Sequence, residues 1–138
     1  MISREILLKM REVASKTRRN SNEKSDDHRV GAAVLGSSGK IYGGCCLLSI
    51  PQDYCAERVA LFKAISEGEK KIEAVLITRN KKREGSEGSP CGHCLQALWA
   101  LSNNPNLLIY SWHEDQEEPF GPHEIKYFYP HPYSPNSI

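Results

Sequence analysis

Hydrophobic residues recur along the chain at two different spacings, which predict helices and strands respectively. Near the start, apolar side chains at Ile2, Ile6, Met10 and Val13 form one face of an amphipathic helix. Further along, short apolar runs bounded by turn residues predict buried strands. The predicted helices cover residues 2–19, 55–67 and 91–101, and the predicted strands cover residues 30–35, 40–46, 72–78 and 106–112.

Residues that favour turns mark the boundaries between these elements. Residues 36–39 supply the turn of a hairpin between the first two strands. Gly68 is a suitable left-handed cap for the second helix, and Pro90 directly precedes the third. Residues 80–90 are rich in glycine, serine and charge and are predicted to form a loop. The tail after Glu114 carries five prolines and is predicted to hold at most a short helix.

The order of the elements indicates one α/β domain that spans residues 1–138. Helices alternate with strands, which places helices against the faces of a sheet. The hairpin makes that sheet mixed rather than purely parallel. No internal repeat or linker interrupts the pattern, and 138 residues suit a single domain with a hydrophobic core of its own.

Composition and charge exclude several classes of function. The chain is 39% hydrophobic and 25% charged with a net charge of +1, so we predict no nucleic-acid partner. We predict no membrane partner either, because no stretch approaches the roughly 18 apolar residues of a membrane span. The five cysteines are an odd number, and in the cytoplasmic location that we predict they are free or metal-bound rather than paired.

Two cysteine-containing motifs, each at a predicted helix start, indicate a zinc site. The motifs are Cys-Ala-Glu-Arg at residues 55–58 and Pro-Cys-Gly-His-Cys at residues 90–94. The exposed amide groups and the dipole at a helix start stabilise thiolates, which are the form in which cysteine binds zinc. The predicted ligands are therefore Cys55, Cys91 and Cys94.

Glu57 and Arg58 have separate predicted roles beside the metal. A catalytic zinc ion keeps one coordination position for water, and three thiolate ligands leave that position available. Glu57 lies two residues after Cys55, so it can face this water without binding the metal itself. Three thiolates leave the metal centre with a net negative charge, which Arg58 is predicted to offset by hydrogen bonding to sulfur.

Two less specific interpretations of the cysteines remain, a purely structural zinc site and a set of thiols without metal. The presence of Glu57 directly after the first cysteine motif favours the catalytic interpretation over both. His93 is disfavoured as a ligand, because the middle of a Cys-x-x-Cys turn faces away from the metal.

These motifs resemble the cytidine deaminase family in its small-subunit, three-cysteine form, and the resemblance extends over most of the chain. Residues 30–34 are similar to the family's first strand, residues 55–68 to its first zinc helix and residues 89–96 to its second. The resemblance implies a three-layer α/β/α sandwich around a mixed five-stranded sheet, one Zn²⁺ per subunit and a homotetramer whose sites are shared between subunits. In the family's mechanism, Glu57 would move a proton from the attacking water to the ring nitrogen and later protonate the departing amino group.

The resemblance also assigns contacts to the substrate, and one of them departs from the family pattern. Ala56 and Ser89 are expected to touch the ring through their backbone, and Cys46 is expected to line the pocket. The family has an Asn-x-Glu-Asn motif whose first two polar groups bind ribose hydroxyls, whereas this chain has Cys-Leu-Leu-Ser at residues 46–49. Leu48 therefore replaces the glutamate and cannot accept a hydrogen bond from a hydroxyl.

Two further positions complete the expected substrate pocket. His28 lies where the family has phenylalanine, and its alternative is a surface histidine without a ligand contact. Tyr133 is expected to act as the C-terminal aromatic that reaches into a neighbouring subunit's site. The missing ribose motif, a shorter following loop and this tyrosine resemble blasticidin S deaminase.

The sequence as a whole predicts a hydrolase that deaminates a small cytidine-like nucleoside with the help of zinc, in pyrimidine salvage. The alternatives are a modified cytosine nucleoside or another amino-heterocycle as substrate, and a catalytically idle zinc-binding paralogue. Glu57 argues against the idle paralogue, since a protein without catalysis has no physical need of that carboxylate. The small size and the near-zero net charge argue against a polynucleotide substrate.

Overall fold

The computed structural model describes residues 1–82 and 88–134 of the chain. The prediction of a loop over residues 80–90 therefore lies partly outside the described residues, as does the last proline of the tail. The helices are α1 (Arg4–Arg18), α2 (Ala56–Ser66), α3 (Gly92–Leu101) and α4 (Ile125–Phe128). The strands are β1 (Gly31–Gly36), β2 (Ile41–Cys45), β3 (Ile72–Thr78), β4 (Leu108–Ser111) and β5 (Phe120–Glu124).

The five strands form one mixed sheet in the order β2-β1-β3-β4-β5. Only β3 and β4 run parallel, and the other neighbouring pairs run antiparallel. The parallel pair arises because helix α3 connects β3 to β4, and such a crossover returns the chain in the same direction. The carboxyl ends of β3 and β4 consequently meet at the same edge of the sheet.

Helices cover both faces of this sheet, which confirms the predicted three-layer sandwich. Ala32 and Val34 of β1 face α2 and α3, whereas Ala33 and Leu35 face α1. All of β1 and all but one residue of β3 are buried, which explains why both strands consist of nearly continuous apolar residues. The predicted helices and the first four strands are confirmed, with boundaries within two residues of those expected.

The prediction that the tail holds at most a short helix was wrong. The short helix is present as α4, but the strand β5 precedes it and forms the edge of the sheet beside β4. β5 contains Gly121 and Pro122 and is only partly buried, so it shows neither the alternation nor the apolar run of a strand. Its pairing with β4 specifies its conformation, and an edge position tolerates proline.

No helix among residues 1–82 and 88–134 combines the length and the apolar character that crossing a membrane requires.

A close approach between strand β2 and helix α2 sets the position of the first cysteine motif. A Cβ atom at Gly44 would lie 2.6 Å from the carbonyl oxygen of Ala56 and closer still to the amide nitrogen of Ala60. Both of these are backbone atoms, so they cannot move without the helix. Glycine at this position therefore allows α2, and with it the first cysteine motif, to lie against the sheet.

Substitution of Gly44 tests this constraint. We expect Gly44→Ala to lower the free energy of unfolding by about 1–3 kcal/mol, because the added methyl group overpacks the contact with α2. Chemical denaturation of the metal-free protein measures this difference. Lys63→Ala is the matched control, since Lys63 is exposed on the same helix. Equal stability of the Gly44→Ala and Lys63→Ala variants would contradict the interpretation.

Candidate metal centre and active site

Two helix starts bring three cysteine sulfurs together at the edge of the sheet. Cys55 is the N-cap residue of α2, Cys91 is the N-cap residue of α3, and Cys94 lies in the first turn of α3. Their sulfur atoms all lie within 4.8 Å of one another, and those of Cys55 and Cys91 are 3.5 Å apart. This is the only group of three or more potential metal ligands within the described parts of the chain.

The spacing and chemistry of these sulfurs fit zinc. Tetrahedral coordination with Zn–S bonds of about 2.3 Å would place sulfur atoms about 3.8 Å apart, so only small movements would bring all three thiolates onto one ion. Three protein ligands leave one tetrahedral position for another group. His93 is exposed and does not belong to the cluster, as expected.

Hydrogen bonds at the sulfur cluster favour ionisation of Cys55. The amide of Cys94 donates to the Cys91 sulfur at 3.5 Å, and Nη2 of Arg58 lies 3.8 Å from the Cys55 sulfur. A hydrogen bond from the Cys94 thiol, supported by Arg58, lowers the pKa of Cys55 to about 5. The same contact raises the pKa of Cys94 above its ordinary range, because Cys94 keeps the shared proton. Cys55 therefore ionises before Cys94.

The guanidinium of Arg58 is held beside the cluster by its own contacts. It donates from Nη2 to the carbonyl oxygen of Asp53 at 3.3 Å and lies over the ring of Tyr54. Its Nε is buried and has no hydrogen-bond partner among the described residues. Arg58 is thus a buried cation in contact with the predicted ligand Cys55. This position suits its predicted role of offsetting the negative charge of the thiolates.

Glu57 is a buried carboxylate in the first turn of α2, with 5% of its surface exposed. Burial raises the pKa of Glu57 to about 7, and the nearby charge of Cys55 also raises it. A carboxyl group with a pKa near neutrality can both accept and release a proton under physiological conditions. This property suits a group that transfers protons within one catalytic cycle.

Glu57 lines a cavity of about 110 Å³ together with Cys55 and Cys91 of the sulfur cluster. Among the residues predicted to contact substrate, Cys46, Ala56 and Ser89 line this cavity. Cys46 is held by Ser21, whose hydroxyl donates to the Cys46 carbonyl oxygen at 2.6 Å. The structure thus brings three of the six predicted contact residues to the site.

The other three predicted contact residues lie outside the cavity of their own chain. His28 is exposed, although its carbonyl oxygen lies 3.8 Å from the Cys46 sulfur. Leu48 is 42% exposed and exchanges two backbone hydrogen bonds with the side chain of Asn22, at 2.7 and 2.8 Å. Tyr133 is 67% exposed and accepts a hydrogen bond from Gln96 on α3 through its backbone.

Among the described residues that line the cavity, six were not predicted from the sequence. They are Val30, Ile77, Arg79, Gly88, Ser111 and His113. Three of the six follow or end the parallel strands β3 and β4, at the edge where ligands bind in open α/β sheets. The sequence places polar residues at the ends of two predicted strands, but only the pairing of these strands brings them together in the cavity.

His113 is a buried, neutral histidine in the wall of this cavity. Its Nδ1 accepts a hydrogen bond from the Arg79 amide at 3.1 Å. Burial lowers the pKa of His113 to about 4, and the charge of Arg79 lowers it further. The imidazole is therefore uncharged at neutral pH, with its proton on Nε2.

Comparisons with known proteins agree with this site. A family described as "Cytidine and deoxycytidylate deaminase zinc-binding region" matches residues 4–108. A cytidine deaminase of Sporosarcina psychrophila is 36% identical over 85 residues, which are 59% of this chain and 58% of the relative. One from Halalkalibacterium halodurans is 39% identical over 75 residues, 53% of this chain and 54% of the relative. The chain thus spans little more than half the length of these relatives.

A solved structure shows the same fold. The crystal structure of a cytidine deaminase from Burkholderia pseudomallei superposes with a TM-score of 0.78, covering 96% of this chain and all of the other. The sequences are 23% identical, so this likeness concerns the fold alone.

Metal content tests the assignment of the three sulfurs. We expect the purified protein to bind one equivalent of zinc, and Cys94→Ser to lose most of it, because a hydroxyl is a much weaker zinc ligand than a thiolate. Atomic absorption after dialysis against a weak chelator measures the content. His93→Ala, in the same helical turn, should keep its zinc. Full zinc content in Cys94→Ser would refute the ligand set.

The buried neutral His113 predicts a pH dependence of stability. Its pKa is lowered in the folded state, so the unfolded chain binds the proton more tightly, and stability falls as the pH drops from about 6.5 to about 4. His113→Gln should lack this decline. Near pH 4 the loss of unfolding free energy in the wild type should therefore exceed that in the variant by about 3 kcal/mol. Urea denaturation of both proteins at pH 7 and pH 4.5 measures this difference. An equal loss of unfolding free energy in the two proteins would argue against a buried neutral imidazole.

Proposed function

The chain belongs to the cytidine and deoxycytidylate deaminase family, and from that premise we propose that it is a zinc-dependent hydrolytic deaminase. The reaction replaces the exocyclic amino group of a cytosine ring with oxygen from water and releases ammonia. The observation that carries this proposal is the buried Glu57 in the same cavity as Cys55 and Cys91, two members of the three-cysteine cluster. A structural zinc site needs no carboxylate of this kind.

The chain's own residues divide the work of this reaction. Cys55, Cys91 and Cys94 would hold zinc, which when bound supplies the acidification of water that hydrolysis at neutral pH requires. Glu57 accepts a proton from the attacking water and donates it to the ring nitrogen. It then takes the remaining proton from the hydroxyl group newly bonded to the ring carbon and transfers it to the departing amino group. The carbon–nitrogen bond breaks, ammonia leaves as a neutral molecule, and the oxygen stays on the ring as a carbonyl. The raised pKa of Glu57 supports both directions of transfer.

The substrate that we propose is a free cytosine compound of nucleoside size. The cavity of about 110 Å³ beside Glu57 is large enough for the heterocyclic ring of such a compound. Leu48 lies outside this cavity and offers no hydrogen-bond acceptor to a ribose hydroxyl. A modified cytosine nucleoside of the blasticidin S type, or another amino-heterocycle, is therefore the second candidate substrate.

A homotetramer with shared sites is also part of the proposal. Tyr133 is largely exposed and does not line the cavity of its own chain, which suits a side chain that completes a neighbour's site. Ile50, Tyr127 and Leu48 are exposed hydrophobic residues that subunit contacts would cover. We place the enzyme in the cytoplasm, where thiols remain reduced, and in pyrimidine salvage.

Substitution of Glu57 tests the proposed function. We expect the zinc-loaded wild-type protein to release ammonia from at least one compound among cytidine, deoxycytidine, cytosine and blasticidin S. Glu57→Gln should lower the turnover number at least about a hundredfold while zinc content stays unchanged, because the amide cannot transfer protons. Glu67→Gln, at the exposed end of the same helix, is the matched control and should keep full activity.

Two outcomes would contradict the proposal. Full activity of Glu57→Gln would remove Glu57 from the mechanism. Absence of ammonia release from every compound, with one equivalent of zinc bound, would favour the idle zinc-binding paralogue instead.

A further inference from the structure

The chain that follows α4 is fastened to helix α3 by hydrogen bonds among Gln96, Tyr129 and Tyr133, which we call the tail network. The side-chain amide of Gln96 donates from Nε2 to the carbonyl oxygen of Tyr133 at 3.1 Å. The hydroxyl of Tyr129 donates to Oε1 of Gln96 and accepts from the amide of Tyr133 at 3.1 Å. Both polar groups of the Tyr133 backbone are therefore held, and the tail network closes on itself.

The two side chains that hold Tyr133 are themselves anchored to helices. Gln96 belongs to α3, and Tyr129 is the C-cap residue of α4. The amide of Tyr129 donates to the carbonyl oxygen of Ile125 at 3.0 Å, and its ring packs against the hydrophobic core. Further along α3, Nε1 of Trp99 donates to the hydroxyl of Ser134 at 2.6 Å. The backbone of residues 133–134 is thus fixed relative to α3.

The residues between Tyr129 and Tyr133 restrict the chain further. They are Pro130, His131 and Pro132. Each proline fixes its own φ angle and has no amide donor, so this segment has few conformations and few hydrogen bonds of its own. Holding the segment at both ends therefore fixes it at a small cost in conformational entropy.

The side chain of Tyr133 contrasts with its backbone. The backbone is held at both polar groups, whereas 67% of the residue is exposed. Tyrosine is enriched at protein interfaces because its ring is a large apolar surface with one polar end. An ordered backbone below an exposed aromatic ring indicates that the ring contacts a molecule outside its own chain.

The active-site cavity lacks a ring of this kind. The described residues that line it include no phenylalanine, tyrosine or tryptophan. Pockets for small ligands are usually lined by apolar and aromatic side chains, and the flat face of a heterocycle packs well against an aromatic ring. The cavity of a single chain is therefore incomplete on one side of the substrate ring.

We propose that Gln96 and Tyr129 are positioning residues, which hold Tyr133 where its side chain completes the cavity of a second copy of the chain. This inference rests on the proposed deaminase function and on the shared sites that form part of it. Gln96 and Tyr129 act through Tyr133 and do not touch the substrate. The tail network orders Tyr133 before the substrate arrives, so binding does not have to pay that entropic cost. Loss of the network should consequently weaken substrate binding more than it slows the chemical step.

Removal of one hydroxyl group tests the tail network. Tyr129→Phe keeps the packed ring but loses the group that joins Gln96 to the Tyr133 amide. We expect KM to rise about fivefold, the effect of one lost hydrogen bond, while kcat and zinc content stay unchanged. Gln96→Leu should have the same effect. Tyr127→Phe is the matched control, because Tyr127 is an exposed tyrosine on the same helix, and it should keep the wild-type KM.

A double-mutant cycle shows whether the network acts through Tyr133. Tyr133→Ala should raise KM at least as much as Tyr129→Phe does. Adding Tyr129→Phe to Tyr133→Ala should raise KM no further, because the ring that the network positions is already absent. A merely structural network would impair the enzyme equally in both backgrounds, and that result, or a wild-type KM in Tyr133→Ala, would overturn the inference.

Photo-crosslinking from position 133 tests the same inference without turnover. The zinc-loaded protein with benzoylphenylalanine in place of Tyr133 is irradiated, and mass spectrometry identifies the joined peptides. We expect a species of twice the chain's mass in which position 133 is joined to a peptide that contains Val30 or Cys46, both of which line the cavity. Adding Tyr129→Phe should lower the yield of this species about fivefold, whereas adding Tyr127→Phe should not change it.

The outcomes separate this inference from the proposed function. Crosslinks confined to one chain, or an interchain yield that Tyr129→Phe leaves unchanged, would overturn the inference, and ammonia release by the wild-type protein would then leave the deaminase intact. Interchain crosslinks at the cavity that depend on Tyr129 would uphold the positioning role even if no compound were deaminated.

Discussion

Three sulfur atoms can share one metal ion only if the starts of two helices meet within a few ångströms. In this protein α2 and α3 begin at the same edge of the sheet, and their N-cap cysteines lie 3.5 Å apart at sulfur. The contact between Gly44 and the backbone of α2 sets one of these positions, and the parallel pairing of β3 with β4 sets the other. The placement of Glu57 and of the cavity follows from this convergence.

The convergence also explains the electrostatics of the site. The amide of Cys94 and the guanidinium of Arg58 donate hydrogen bonds to the sulfurs of Cys91 and Cys55, and the pKa of Cys55 is lowered to about 5. Glu57 lies in the first turn of α2 and is buried, so its pKa rises towards neutrality. The raised pKa of Glu57 provides acid–base capacity, and the neighbouring sulfurs provide metal affinity. Both properties are thus combined in a small volume.

The metal side of the site could be predicted from the sequence because its determinants are local. Cys55 and Glu57 are two residues apart on one helix, and Cys91 and Cys94 occupy one helical turn. The wall formed by Arg79 and His113 could not be predicted in the same way, since these residues meet only through the pairing of two strands. Strand β5 escaped prediction because an edge strand with glycine and proline has no periodic signal, and its structure depends on its neighbour.

The central claim is that three thiolates hold one zinc ion and leave its fourth coordination position for an oxygen or nitrogen atom. X-ray absorption spectroscopy at the zinc edge of the loaded protein measures this directly. The account predicts three sulfur neighbours at about 2.3 Å and one oxygen or nitrogen neighbour at about 2.0 Å. Four sulfur neighbours, or two sulfurs with two nitrogens, would show a closed structural site and would contradict the account.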